Sequence, residues 1–363
     1  MEDLTLVAVV AVALFFDFTN GFHDTANAIA TSVSTRALSP RIAVLYAAVL
    51  NFAGAFVSLE VAATVATGIV EANVVTLEVV LAGLVGAITW DLITWYFGLP
   101  TSSSHALIGG IVGSALAASG TDVVKWNGIA EDVLIPSLVA PFLGVVFALG
   151  LMFVIIWVIR RQAPGLINRV FRRLQVVSAG FVAFTHGTND AQKTMGIIAL
   201  ALVATGHLSA EEFEVPLWVI VSAATAMALG TYAGGWRIIR TLGQRVAKLE
   251  PPQGFAAETA TATILWFTGT VGFPVSTTHT ISGSVLGAGA IRGFSAVRWG
   301  VAGNIVLAWL LTLPMAALIG AVAQVLTRIP GGTLIVFLLM AAIATLAFVA
   351  RSLQTRKLAP SAA

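Results

Sequence analysis

The chain has 363 residues, of which 58% are hydrophobic and only 10% are charged. Charge this sparse cannot cover a soluble globule of such a size, so the composition excludes a soluble protein and indicates a polytopic membrane protein. The excess of Leu, Val, Ala and Ile occurs in long blocks, which favours helices over the alternating strands of a barrel. The chain contains no cysteine, which excludes thiol redox chemistry, thiolate metal sites and disulfides.

The slight excess of basic over acidic residues indicates how the chain is oriented in the membrane and does not indicate a nucleic-acid partner. The pI is near 9.2, but basic residues in a membrane protein mostly set its topology, so we expect no nucleic acid partner. The N-terminal residues Glu2 and Asp3 are acidic where a cleavable leader would be basic, so we expect no such leader.

The first half of the chain contains four apolar segments, at 4–34, 42–59, 81–118 and 133–159. Gly21 lies in a polar stretch within the first segment, and we expect it to break the helix there. Pro100 breaks the third segment, because proline removes a backbone donor and disfavours helix in the residue before it. A basic connector at 160–173 ends this half.

The second half repeats this order, with apolar segments at 174–205, 216–232, 255–290, 299–326 and 333–350. Gly187 and Pro274 take the places of Gly21 and Pro100, so the chain carries an internal duplication. We therefore divide it into a first membrane repeat, the connector, a second membrane repeat and a cytoplasmic tail. Their bounds are 1–159, 160–173, 174–350 and 351–363.

Loop charge gives the orientation of the segments, because basic loops mark the cytoplasm. Basic loops lie at 36–41, 160–173, 237–248, 292–298 and 351–357, and acidic ones lie near 60–78, 119–132 and 206–215. The two sets alternate in a cell membrane only if the N-terminus is outside and the C-terminus is cytoplasmic. The segments 81–118 and 255–290 then each enter and leave on one side, outer and inner respectively, as full crossings or as half-depth hairpins. We predict an all-α polytopic membrane protein with two inverted-topology repeats, broken helices and re-entrant helical hairpins.

A hydroxyl-rich motif follows the proline in each half. The residues are Ser102, Ser103 and Ser104 in the first half and Ser276, Thr277 and Thr278 in the second. Ser and Thr are favoured helix N-caps, and the free N–H groups and positive dipole end of a new helix attract anions. One copy alone is equally consistent with a capped, kinked helix whose hydroxyls bond back to carbonyls. Two copies at matching places in inverted halves favour an oxyanion site.

A carboxylate lies just past the glycine in each half, at Asp24 and Asp190. Beside unwound backbone, these acids could hold a cation or a proton, or they could cap the resumed helix. The copies differ where Asn27 matches Lys193. We expect Lys193 to pair with Asp190 three residues earlier, either only to neutralise charge or to fill a former small-cation site. The second interpretation favours proton coupling over sodium coupling.

Four of the five histidines fall in these motifs, at His23, His105, His186 and His279. Each alone is more typical of a satisfied core residue, but together they are candidates for carrying a coupling proton. No His-x-x-x-His or His-x-x-Glu pair indicates a metal site, so no metal ligand is assigned. Asp17, Asp91 and Glu258 are further buried-acid candidates, which rank below Asp24 and Asp190.

At these motifs the sequence resembles the PiT family of inorganic phosphate transporters, over nearly the whole chain. The matching stretches are 21–27 and 187–190, together with the paired Pro-x-Ser-Ser/Thr-Ser/Thr-His motifs. The chain looks closest to the bacterial low-affinity branch. That resemblance implies proton coupling, allows neutral metal–phosphate complexes as cargo, and implies a homodimer.

The resemblance also implies roles for individual residues. The hydroxyl tips at 102–104 and 276–278 would bind phosphate, and Asp24, Asn27 and Asp190 would lie on the cation or proton side. Sodium-coupled members carry Asn-Asp and a later Asn in both copies. Here Asn189 keeps that pattern, but His23 and Lys193 replace asparagines, which puts sodium coupling in doubt.

The charges support symport independently of the resemblance. Asp24, Asp190 and Lys193 sum to about −1, and a phosphate dianion alone would bring the site to about −3, which a low-dielectric interior does not tolerate. We therefore expect a phosphate symporter that works by alternating access. The expected companion is a proton, or sodium, or a divalent metal carried as metal–phosphate, and we expect no cofactor.

Three other functions fit parts of the pattern. A sulfate permease could use the same scaffold, but sulfate has no proton to donate to the acids near neutral pH. An ion channel would need a continuous polar helix face, which the sequence lacks. An intramembrane enzyme is without support, because neither Gly-x-Ser-x-Gly nor His-Glu-x-x-His occurs.

Overall fold

The computed structural model describes residues 2–71, 75–209 and 214–358, nearly all of them in helices. The helices of the first half are α1 (Glu2–Ser34), α2 (Pro40–Gly54), α3 (Glu60–Thr67), α4 (Leu77–Phe97), α5 (Ser103–Ser119), the short α6 (Trp126–Gly128) and α7 (Ile135–Ile159). Those of the second half are α8 (Pro164–Ala204), α9 (Leu217–Ala233), α10 (Trp236–Arg240), α11 (Pro251–Val271), α12 (Thr277–Ala290), α13 (Trp299–Thr327) and α14 (Gly332–Leu358). π-Helical turns precede α7 at Ile129–Leu134 and follow α10 at Thr241–Arg245.

The lengths and compositions of these helices agree with a multi-pass membrane protein. Within the described ranges, five helical segments are long and apolar enough to cross a bilayer, and the bent pair Leu217–Ala233 and Trp236–Arg245 makes a sixth. The segment Leu77–Phe97 is 89% buried inside the protein, whereas Gly332–Ala350 is only 11% buried. The hairpin helix α4 therefore lies in the interior, and α14 presents its apolar side chains outward. The predicted all-α membrane architecture is confirmed.

The helices that carry the acids are continuous, so our expectation that Gly21 and Gly187 break them is wrong. Both α1 and α8 run through these positions without interruption. A glycine inside a helix costs only about 1 kcal/mol relative to alanine, which tertiary packing can outweigh. The expected connector at 160–173 is not a separate segment, because its residues 164–173 form the first turns of α8. The broken helices are those of the hairpins, at Gly98 and Gly272, where φ is +72° and +92°.

Gly21 allows α1 and α9 to cross at very short distance. A Cβ on Gly21 would overlap the carbonyl oxygen of Met227, and a Cβ on Gly230 would overlap that of Phe18. Each helix thus offers a glycine to a backbone carbonyl of the other.

The second half repeats this crossing with α8 and α2. A Cβ on Gly187 would overlap the carbonyl oxygen of Asn51, and a Cβ on Gly54 would overlap that of Phe184. Gly21 in α1 and Gly187 in α8, each three residues after a phenylalanine, therefore allow the same close helix crossing in the two halves. Small residues at such crossings are a common feature of helix packing in membranes.

The hairpin of each half also packs against the other half. The second hairpin helix of each half lies against a long helix of the other, so α5 packs on α13 and α12 packs on α7. A Cβ on Gly109 would overlap the Leu313 carbonyl, and one on Gly283 would overlap the Pro141 carbonyl. This reciprocal packing is what two repeats related by a pseudo-two-fold axis produce, and it brings both hairpin tips into the interior of the protein.

Replacing Gly187 by alanine is expected to lower the free energy of unfolding by about 1–3 kcal/mol, because the new methyl group meets backbone that cannot rotate away. Gly150→Ala in α7 is the matched control, since nothing lies within 4 Å of a Cβ at that position. Thermal unfolding of the purified proteins in detergent, followed by size-exclusion chromatography, measures both. A Gly187→Ala variant as stable as the wild type would contradict the close crossing.

Candidate functional site

Both hairpin tips begin a helix with the same serine cap. The side chain of Ser102 accepts a hydrogen bond of 3.2 Å from the backbone N–H of His105, and Ser276 accepts one of 3.2 Å from His279. Pro100 and Pro274 precede the caps by two residues and keep the preceding backbone non-helical. Each tip therefore points unpaired N–H groups and the positive end of a helix dipole into the interior.

The two tips meet at the carboxylate of Asp24 in α1. Ser103 of the first tip donates a hydrogen bond of 3.4 Å to Asp24 Oδ1, and Thr278 of the second tip donates one of 3.5 Å to the same atom. Asn27 lies one turn further along α1 and donates through Nδ2 to the Thr278 hydroxyl at 2.9 Å. The carboxylate is 3% exposed, so the sequence motifs at 24–27, 102–104 and 276–278 form one buried cluster.

His23 ties this cluster to the first hairpin. Its Nδ1 lies 2.8 Å from Asp24 Oδ1, and its Nε2 lies 3.1 Å from the Thr94 hydroxyl of α4 and 3.3 Å from that of Thr101. The ring thus bridges the acid of α1 to the base of the tip and fixes both in one arrangement.

Lys193 links the second acid to both tips. Its ammonium forms the ion pair with Asp190 that the spacing along α8 predicts, donates a 2.5 Å hydrogen bond to the Ser104 hydroxyl, and donates one of 3.2 Å to the backbone oxygen of Val275. Thr277 in turn donates to Asp190 Oδ2 at 3.2 Å. A buried cation therefore lies where the two hairpins converge.

His186, one of the four histidines that the sequence offers as proton carriers, lies beside the second acid. Its Nε2 lies 2.9 Å from Asp190 Oδ2, and its Nδ1 lies 3.1 Å from Asn51 Oδ1. Among the described residues, ligand atoms of Asp24, His186 and Asp190 all lie within 4.8 Å of one another, a spacing that suits a single cation. The i, i+4 spacing of His186 and Asp190 on one helix face was the available signal.

Asp91 also lies at this site, although the sequence ranked it lower. His23, Asp24 and Ser103 lie close to its carboxylate. Both carboxylate oxygens are buried, and neither has a hydrogen-bond partner among the described residues. An ionised carboxylate in that setting is costly, so this group carries a proton or faces a cation.

Asp17 and Glu258 differ in their surroundings. The oxygens of Asp17 are buried without a hydrogen-bond partner in the described chain, next to Asn20 and Thr194. Glu258 is fully hydrogen-bonded and accepts from Thr31 at 2.5 Å and from Ser178 at 2.5 Å. Glu258 is thus a satisfied structural acid, whereas Asp17 extends the acidic interior of α1.

Three of the candidate coupling residues lie outside this hydrogen-bonded cluster. His105 and His279 pack behind the tips with ring centroids 4.8 Å apart, and His279 also packs on Trp309 at 4.0 Å. Both rings line an apolar cavity of about 560 Å³ between α7 and α13. Asn189 is buried on another face of α8, next to Gly269. A coupling role for these three stays a prediction without a contact to either acid.

The chain is similar to known proteins over most of its length. A family model described as the phosphate transporter family matches residues 20–320. A protein of Mycobacterium tuberculosis (strain ATCC 25618 / H37Rv), named a probable low-affinity inorganic phosphate transporter, is 52% identical over 337 residues, 92% of this chain and 80% of the relative. A protein of the same name from Bacillus subtilis (strain 168) is 45% identical over 87% of this chain and 95% of the relative. A solved structure described as the sodium-dependent phosphate transporter has a TM-score of 0.80 and 26% identity, covering 90% of this chain and 99% of that one.

Lys193→Met is expected to lower the free energy of unfolding by about 3–5 kcal/mol, because it leaves buried carboxylates uncompensated. Adding Asp190→Asn should recover most of that loss. Lys125→Met is the control, since Lys125 pairs with Glu71 at the surface and should change stability by less than about 1 kcal/mol. Thermal unfolding measures all the variants, and a Lys193→Met protein of wild-type stability would refute the buried ion pair.

Proposed function

This chain belongs to the phosphate transporter family, whose members are transporters and not enzymes. We propose that it takes up inorganic phosphate in symport with a proton by alternating access. The observation that carries the proposal is the convergence of both hairpin tips on Asp24, Asp190 and Lys193. Hydroxyls, helix N-termini and an ammonium together suit a tetrahedral oxyanion.

Phosphate would bind between the tips. Ser102–Ser104 and Ser276–Thr278 supply hydroxyl donors from opposite sides, and Lys193 supplies the positive charge. In the structure described here, these hydroxyls and the ammonium bond to the acids and to one another. An entering anion would have to replace those bonds with bonds of its own.

The charge of the site requires a companion for phosphate. Asp24, Asp190 and Lys193 sum to about −1, so a dianion would raise the charge to about −3 in a low-dielectric interior. A proton on His23, His186 or a carboxylate would offset this repulsion. Lys193 supports a proton over sodium, because its ammonium already neutralises the charge of Asp190 that would otherwise attract a small cation.

A divalent metal carried with phosphate is a second form of the same cargo. The atoms of Asp24, His186 and Asp190 lie within 4.8 Å of one another, next to Ser103 and Thr277 of the tips. A neutral metal–phosphate complex would leave the net charge of the site unchanged at about −1, which satisfies the same electrostatic requirement as a proton.

Selectivity against sulfate follows from the acids. Phosphate keeps a P–OH group near neutral pH and can donate a hydrogen bond to Asp24 or Asp190, whereas sulfate has only acceptors. Sulfate would face a carboxylate with nothing to donate, and that unpaired contact disfavours it.

Alternating access is supported by burial and by the repeat. Residues 101–105 and 276–280 are at most 4% exposed, so the site is sealed from both surfaces in this conformation. Because each hairpin packs on the other half, rocking of one repeat against the other would open one side at a time.

We also propose a homodimer in the cell membrane with the N-terminus outside and the C-terminus cytoplasmic.

Phosphate uptake into proteoliposomes is expected to follow an imposed proton gradient and to ignore a sodium gradient. Each gradient is imposed in turn with labelled phosphate outside, and sulfate is tested as a competitor. Uptake that needs sodium at fixed pH would overturn proton coupling, and sulfate uptake insensitive to phosphate would overturn the choice of substrate.

Ser103→Ala combined with Thr277→Ala is expected to reduce phosphate uptake at least tenfold, on the order of 1.4 kcal/mol or more of lost binding, because one hydroxyl is removed from each tip. The protein should still insert and purify. Thr263→Ala on the exposed face of α11 is the control and should transport normally. Wild-type uptake by the double variant would place phosphate elsewhere.

A further inference from the structure

The two hairpin breaks are built alike. At the first, the hydroxyl of Thr241 donates a 2.9 Å hydrogen bond to the backbone oxygen of Gly98. At the second, the hydroxyl of Thr64 donates a 2.9 Å bond to the backbone oxygen of Gly272. Thr64 and Thr241 thus occupy equivalent positions in the two repeats. We align the segment after α2 with the segment after α9 by these two threonines.

The side chains next to these breaks carry opposite charges. A Cβ on Gly98 would come within 2.9 Å of Arg237 Cβ, and a Cβ on Gly272 would come within 3.3 Å of Glu60 Cβ. Arg237 and Glu60 each lie four residues before the equivalent threonine. We call each break, together with the charged side chain beside it, a mouth. The two mouths share the threonine contact to the backbone and differ in charge.

The basic mouth contains a cavity of about 370 Å³, here named the arginine pocket, which is lined by Phe97, Gly98, Arg237, Arg240, Thr241 and Arg245. The π-helical turn at Thr241–Arg245 brings residues five apart onto adjacent turns, so Arg240 and Arg245 reach the same cavity. In the register set by the threonines, the first half has Ala63 and Gly68 at these positions. Only one of the two mouths therefore carries three arginines.

A structural role explains Arg237 but not its neighbours. Arg237 donates to the backbone oxygen of Tyr96 and lies over the Tyr96 ring at 5.7 Å, so it caps the C-terminus of α4. Arg240 and Arg245 are exposed, and within the described ranges neither lies in an ion pair with a carboxylate. Two guanidinium groups therefore face the cavity without a compensating acid.

We propose that the arginine pocket binds a phosphate-bearing anion, either inorganic phosphate or the headgroup of an anionic phospholipid. Guanidinium groups bind phosphate oxygens in bidentate geometry. Gly98 is five residues from Ser103, so the pocket lies within about 18 Å of the tip along the chain. The exposed aromatic residues Phe97 and Trp236 next to the pocket are typical of a membrane interface, where basic pockets also take lipid headgroups.

Site-resolved arginine modification tests the proposal without relying on transport. The full chain is placed in nanodiscs of phosphatidylcholine and treated with phenylglyoxal, and the rate at each arginine is read by peptide mass spectrometry. One arm adds inorganic phosphate against chloride at equal ionic strength. The other arm omits phosphate and adds phosphatidylglycerol to the nanodisc. Arg169 and Arg172, exposed on α8 away from the pocket, are the internal controls.

Modification of Arg240 and Arg245 is expected to slow about tenfold when the probe is present at about ten times its Kd, while Arg169 and Arg172 react as before. Protection by phosphate in neutral lipid assigns the free anion, and protection by phosphatidylglycerol alone assigns the headgroup. The variant Arg240→Gln/Arg245→Gln should lose the protection of Arg237, and Arg169→Gln/Arg172→Gln should keep it. Equal rates with and without both probes would overturn the proposal, and phosphate–proton symport would stand, because it depends on the hairpin tips.

Discussion

The buried ammonium of Lys193 is the interaction on which the rest of the site depends. A charge removed from water is costly unless its partners replace the lost hydration. Asp190, the Ser104 hydroxyl and the Val275 carbonyl replace it here, and these groups come from α8 and from both hairpin tips. The need to satisfy one cation therefore holds three separate segments together.

The two halves bury their polar groups against each other. The glycine crossings at Gly21 and Gly187 bring each acid-bearing helix against a helix of the other half, and each hairpin packs on a long helix of the other half. Reciprocal packing of this kind places two helix N-termini opposite each other without any single break in α1 or α8. The anion-attracting ends come from the hairpins, and the charged groups come from continuous helices.

The two repeats differ at residues of the candidate site and at the hairpin breaks. Asn27 and Lys193 occupy matching positions, so one half offers an amide and the other an ammonium to the same cluster. Glu60 and Arg237 likewise occupy matching positions at the two hairpin breaks. A symmetric scaffold would bind and release an anion in the same way on both sides, whereas these substitutions give its two mouths opposite electrostatic character.

The sequence by itself determined the membrane class, the duplication, the hairpin breaks at Pro100 and Pro274, and the Asp190–Lys193 pair, because composition, proline chemistry and i, i+3 spacing act locally. Only the tertiary structure decided the rest. Whether Gly187 breaks a helix or admits a neighbour depends on the Asn51 carbonyl, which lies on a different helix. The same reason explains why His186 joins the acids while His105 and His279 pack on each other: the partner of a buried side chain is set by the packing of distant segments, which no local spacing records.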